Sequence, residues 1–219
     1  MTLRPCLMLA ASALLSALLS ALLSACSIIP KPEAASVVYR LPSAITQITQ
    51  AAPPAVPSKP TFSLRIAVPK ATTMIDGMRI TVLPDSDQVT AYKGVRWSER
   101  APVLLRNRLF DAFQATGEVA ALSVDDSNMH AGIELAGMLR SFQSEYHDGH
   151  PVVVIRYDAL LTSAGAHRII ASRRFDVQVP AAGASVAQVV RAFGQAGDQL
   201  AAQVVPWVLA NAPRDVPDR

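Results

Sequence analysis

The sequence predicts an α+β domain: a mostly antiparallel or mixed sheet with two amphipathic helices packed on it. Three observations lead there. Segments in which apolar side chains alternate with polar ones fill the region before Trp97 and return after residue 130. Two other segments carry a 3.6-residue apolar period. The resulting order of strands, helix, strands and helix lacks the regular βαβ alternation of a doubly wound nucleotide fold.

In chain order, residues 1–25 read as an export signal. Arg4 is their only charge, an uncharged apolar run extends from Leu7 to Leu23, and the small Ala25 closes the segment. The run repeats Ala-Leu-Leu-Ser three times from Ala13 to Ser24, which is low-complexity apolar helix without chemistry of its own. Leu23-Ser24-Ala25-Cys26 has the pattern of a bacterial lipobox. Cleavage after Ala25 would make Cys26 the new amino terminus, carrying a diacylglyceryl thioether and a third acyl chain such as palmitate. The alternative is an uncleaved anchor, for which a run of about 17 residues is at the short edge of what spans a hydrocarbon core. Cys6, the only other cysteine, lies in the segment to be removed. The mature chain therefore has no disulfide, no zinc-thiolate site and no cysteine nucleophile. Ser27 after the cysteine matches the sorting pattern that sends lipoproteins of enteric-type bacteria to the outer membrane, where the chain would face the periplasm.

Residues 26–36, the lipidated cysteine and a stretch holding Pro30 and Pro32, read as a tether. Residues 37–212 are expected to form one domain, and residues 213–219 a disordered tail. Val37 to Leu41 reads as a first strand, and the four prolines between Ala51 and Pro60 as a loop. Phe62–Val68, Met78–Val82 and Val89–Tyr92 alternate as strands, with Pro84-Asp85-Ser86-Asp87 as a turn. Leu105, Leu109, Ala112 and Phe113 then share one helical face, with Pro102 suited to the first turn and Gly117 to the end, so a helix is expected from Glu99 to Thr116. Two long strands follow, one carrying Ile133, Leu135, Gly137 and Leu139, the other Val153 to Leu161. Ser163-Ala164-Gly165-Ala166 suits a hairpin turn into an antiparallel strand with Phe175, Val177 and Val179 on one face. Ser185 and Gln188 form a capping-box pattern opening a second helix, whose stripe runs from Val186 to Trp207 and which Pro206 should kink or end.

Of the 219 residues, 51% are apolar, 17% charged and 5% aromatic, which describes a globular chain able to bury a core. The net charge of +3 comes from scattered arginines without a basic block. With so few aromatics, neither a base-stacking platform nor a phosphate-tracking groove is available, and nucleic acid is not an expected partner.

No phosphate-cradling, dinucleotide, nucleophile-elbow or zinc-protease motif occurs. The densest polar group is Glu145-Tyr146-His147-Asp148-Gly149-His150, in which two imidazoles and two carboxylates could meet a divalent metal, but Asp-Gly between two strands is first of all a hairpin turn. Asp85-Ser86-Asp87 and Asp125-Asp126 are paired carboxylates among turn formers, and His130 and His167 stand alone. No metal, cofactor or catalytic residue is assigned, and an enzyme is not expected. Tyr92 and Trp97 form an aromatic pair at the strand-to-helix corner, either a recognition anchor or a core plug. Arg96, Arg100, Arg106 and Arg108 are expected on a solvated face that an acidic partner or lipid headgroups could meet. Tyr92, Trp97, Arg96 and Arg100 are the candidate interface.

The strings Met74–Ile80, Val89–Tyr92 and Arg96-Trp97-Ser98-Glu99-Arg100-Ala101-Pro102, with Leu104-Leu105 to Leu109, resemble the ABC-type transport auxiliary lipoprotein family. The resemblance takes in the early Tyr39-Arg40-Leu41 strand and, by element order, most of residues 37 to 210. It departs at Lys93-Gly94, where the family pattern often has a second aromatic. It implies a lipoprotein without catalytic residues that serves an ABC-type, MCE-domain transport system moving lipid between the inner and outer membranes. The implied partners are the MCE-domain periplasmic subunit and, through the lipid, the membrane, with homo-oligomerisation left open. Two other classes predict different observations. A structural or assembly lipoprotein would bind cell wall or an outer-membrane protein, and a lipid-anchored hydrolase would show a pocket of bonded groups with strongly shifted pKa values.

Overall fold

The computed structural model describes residues 36–43, 62–85, 88–124, 131–163 and 168–213. The expectations for the export signal, Cys26, the tether, the proline loop, Asp125-Asp126, His130, the 164–167 turn and the tail beyond residue 213 fall outside them.

β7 (Ile133–His147) is the spine of the sheet. Along its full length one edge pairs antiparallel with β8 (His150–Ser163), and β8 pairs antiparallel with β9 (Arg168–Pro180). Its other edge receives three short parallel strands in succession: β2 (Ser63–Ile66) at Ile133–Leu135, β3 (Lys70–Ala71) at Met138–Leu139, and β4 (Arg79–Asp85) at Ser144–Glu145. β4 continues antiparallel into β5 (Gln88–Trp97), and β1 (Val37–Tyr39) lies parallel on β5 as an edge strand. β6 (Ala121–Val124) pairs with β2. The result is a mixed sheet of nine strands among the described residues, with the two expected helices, α1 (Ala101–Thr116) and α2 (Val186–Asn211).

Alternation decides which face is buried. On β7, β8 and β9 the residues Ile133, Leu135, Leu139, Phe142, Val153, Ile155, Tyr157, Leu161, Phe175, Val177 and Val179 are all buried toward the helices. α2 lies on β8 and β9 and against α1. Its stripe Val189, Phe193, Leu200, Val204 and Val208 is buried, each such side chain contributing roughly 1.5–3 kcal/mol relative to exposure. Trp97 of β5, Phe142 of β7 and Phe193 of α2 meet in a triad with ring centroids 6.0, 5.2 and 5.0 Å apart, which ties the three layers together.

Two glycines are required by close approach. At Gly137 φ is 154°, and a Cβ there would lie 2.2 Å from the Asp158 carbonyl oxygen and 2.7 Å from the Tyr157 ring. The Tyr157 ring covers this bare backbone, and its hydroxyl donates to the Ala136 carbonyl at 2.7 Å. At Gly194 a Cβ would lie 2.8 Å from the Pro42 carbonyl oxygen, so the strap after β1 rests on α2 where no side chain intervenes.

The structure amends several expectations. α1 starts at Ala101, two residues after Glu99, because Arg100 is the extended residue at its N-cap. It ends as expected at Gly117, in the left-handed conformation. β5 does not stop at Tyr92: Gly94 adopts φ 69° and the strand runs on to Trp97. Pro206 does not end α2, which continues to Asn211. Pro206 and Ala202, whose carbonyl loses its helical donor, are both on the exposed side, where water can replace the bond. Arg106 and Arg108 are buried rather than solvated, at 6 and 3% exposure.

Candidate functional site

The four candidate interface residues do not share a surface. Trp97 is completely buried in the aromatic triad and offers nothing to a partner. It is a core plug, because β5 turns this position toward Phe142 and α2. Tyr92, five residues earlier, is half-buried and donates a hydrogen bond to Ser144 Oγ at 3.3 Å. Burial pushes its phenol up to about 12, opposed by the Ser144 bond and helped by the neighbouring Tyr146, so it stays neutral at physiological pH. Arg96 and Arg100 sit together at the other end of β5. Arg96 Nη1 lies 3.3 Å from the Met78 sulfur and donates to the Trp97 carbonyl at 3.3 Å, while Arg100 pairs with Asp76 at 2.7 Å.

The His147 to His150 segment forms a two-residue turn. Asp148 and Gly149 have φ of 52° and 79°, the left-handed pair that a tight hairpin needs, and the two histidines face each other across it. His147 Nε2 is 3.3 Å from Glu145, and no cluster of three or more potential metal ligands occurs among the described residues.

Two arrangements were not legible beforehand. The first centres on Arg108 of α1, which pairs with Asp198 of α2 and donates to the carbonyls of Leu41 and Pro42. A buried guanidinium thus closes the helix pair over the strap that follows β1. Its position three residues after Leu105 and one before Leu109 puts it on the apolar stripe, and that spacing was the available signal. The second is a lattice of charges on the sheet face opposite the helices. Asp158 of β8 is held between Arg140 of β7 at 2.8 Å and Arg174 of β9 at 2.5 Å. Arg156 of β8 pairs with Asp176 of β9 at 2.6 Å, and Arg65 of β2 with Glu134 of β7. Hydrogen bonds from Arg174 and Arg140 hold the Asp158 carboxyl well below the usual carboxylate range, against a smaller effect of burial. These groups neutralise one another.

Residues 39–205 match the family of ABC-type transport auxiliary lipoprotein components. The chain belongs to that family. This auxiliary lipoprotein is similar in structure to protein XCC0632 from Xanthomonas campestris, a DUF330 protein, with a TM-score of 0.70 and 28% identity over 80% of this chain and 96% of that one. A second solved structure, of an uncharacterised protein, covers 80% of this chain and 99% of its own with a TM-score of 0.60 and 18% identity, a likeness of fold. No curated protein matches the sequence. The family places the chain among lipid-anchored lipoproteins that accompany an ABC-type transporter. Among the described residues no helix is long and apolar enough to cross a membrane.

Proposed function

We propose that this auxiliary lipoprotein is held at the periplasmic face of the outer membrane by acyl chains on Cys26, after cleavage behind Ala25. There its folded domain receives the MCE-domain periplasmic subunit of an ABC-type lipid transporter. The observation that carries the reading is the family match over residues 39–205. The Leu23–Cys26 lipobox and Ser27 support the anchor and its destination. The role is one of docking without bond-making. A fixed receiving point lets a carrier or tunnel hand over apolar cargo without wetting its acyl chains, which would cost about 0.8 kcal/mol per CH₂.

The test is affinity purification of the full-length lipidated protein from gently solubilised envelopes, with mass spectrometry of the proteins retained and Cys26→Ala as control. Recovery of an MCE-domain subunit that depends on Cys26 is the expected result. Recovery of cell-wall or outer-membrane proteins alone would overturn the docking role in favour of a structural one.

A further inference from the structure

On the sheet face that carries the charge lattice, one edge is built differently. Val38 of β1, Arg96 of β5 and Arg79 of β4 are direct cross-strand neighbours and so point to the same side. Arg79 and Arg96 thus place two positive charges next to each other, an arrangement unfavourable in itself. Among the described residues no carboxylate pairs with either. Close to them are three of the six exposed large apolar side chains of the described residues, Val38, Met74 and Met78, each between 41 and 55% exposed, whereas Val37, one residue back along β1, turns to the other face. The loop carrying the methionines is fixed. Thr81 Oγ1 donates to the Met74 carbonyl at 3.3 Å, Trp97 N–H to the Met78 carbonyl at 2.7 Å and Ala101 N–H to the Gly77 carbonyl at 3.1 Å. Arg40, directly after β1, is also exposed, and the nearby acids are Asp76, already engaged by Arg100, and Glu99.

We infer that this edge, Val38, Met74 and Met78 with Arg79 and Arg96, rests on the phospholipid surface that carries the protein. The inference depends on the proposed lipid anchor at Cys26 and not on the transport partner. Three features select a bilayer over a soluble anion. Exposed methionine and valine side chains can enter the apolar boundary of the headgroup layer, while arginines beside them meet lipid phosphates in charge-assisted bonds. Arginine at an anionic surface is favourable, on the order of fivefold in partition per residue. Finally, β1 is where the chain from the anchor enters the domain, and the eleven residue steps from Cys26 to Val37 span at most about 40 Å. The edge with unsatisfied charge and uncovered apolar surface is therefore the one covalently kept near a membrane.

The test uses the full-length lipidated protein in vesicles of phosphatidylcholine and phosphatidylglycerol with a lipid-borne doxyl quencher. Met78→Cys labelled with the fluorophore NBD is compared with Ile169→Cys on β9, an exposed site on another strand. The expected result is strong quenching at the Met78 position, weak quenching at the Ile169 position, and loss of the difference in Arg79→Glu/Arg96→Glu, while flotation shows all variants still attached. Equal quenching at both positions, quenching at neither, or shielding of the Met78 position only when a protein partner is added would each overturn the proposal. Flotation reads the anchor and quenching reads the edge, so the two fail separately.

Discussion

Two groups of arginines on one face of the same sheet have opposite surroundings. Across β7, β8 and β9, Arg140, Arg156 and Arg174 each meet a carboxylate from a neighbouring strand. Across β1, β4 and β5, Arg79 and Arg96 meet each other and a methionine. A sheet face that settles its own charges needs no partner there. A face that leaves like charges side by side, ringed by exposed Val and Met, has its complement outside the chain. The paired half is thus structure, and the unpaired edge is interface.

The sharpest way to break the paired half is at its backbone. Gly137→Ala drives a Cβ into the Asp158 carbonyl and the Tyr157 ring at a φ that L residues avoid, and should cost about 4 kcal/mol in denaturant unfolding. Retention of wild-type stability would mean that β7 and β8 can separate at this point, and with them the charge lattice. Next in size is Arg108→Met. It removes the Arg108 guanidinium from Asp198 and from the Leu41 and Pro42 carbonyls. Because Asp198 keeps some solvent contact, the loss should be about 2–3 kcal/mol, with faster hydrogen exchange in residues 39–43. An arginine buried for structure and one exposed for contact would then be told apart by stability alone.

Much of this architecture was legible in the sequence, and the reasons for the rest are physical. The three long strands show their alternation over 13 to 15 residues, and the Asp148-Gly149 turn carries the residues a left-handed pair demands. β3 and β6, of two and four residues, are too short to display a period. They are strands because β7 and β2 offer them a parallel edge, a tertiary cause that local sequence does not record. Gly94, with φ 69°, is a local distortion inside β5, which runs on past the Tyr92 end that the alternation suggested. Of the candidate interface, Arg96 lies at the proposed edge and Arg100 is engaged by Asp76, while Trp97, open in the sequence between a recognition anchor and a core plug, is a core plug. Met74, Met78 and Arg79 entered only through the string that carries the family resemblance and not as interface residues, because only the β4–β5 register sets Arg79 beside Arg96.

A smaller effect distinguishes the two regions by pH. The Asp158 carboxyl is held below its ordinary range near 4 by Arg174 and Arg140. Below that range the unfolded chain binds the proton first, so this contribution to stability is complete above about pH 4 and is lost progressively as pH falls further. In Asp158→Asn that part of the acid dependence should vanish, with a loss at neutral pH below about 1 kcal/mol because the pairs are largely in water. Thermal unfolding between pH 2 and pH 7 measures both; an unchanged acid slope in Asp158→Asn would mean the lattice contributes nothing beyond ordinary surface charge.

The smallest expected effect is the most informative. Arg79→Glu/Arg96→Glu replaces one pair of like charges by another at an exposed edge, so its unfolding free energy should stay within about 0.5 kcal/mol of the parent. A fall as large as that of Asp158→Asn would mean that the two arginines are engaged within the fold, and the contrast between the two halves of the face would collapse. Unchanged stability together with altered vesicle contact would separate the two roles cleanly. Folding would then be indifferent to the sign of charge at this edge, and only the surface it meets would require it to be positive.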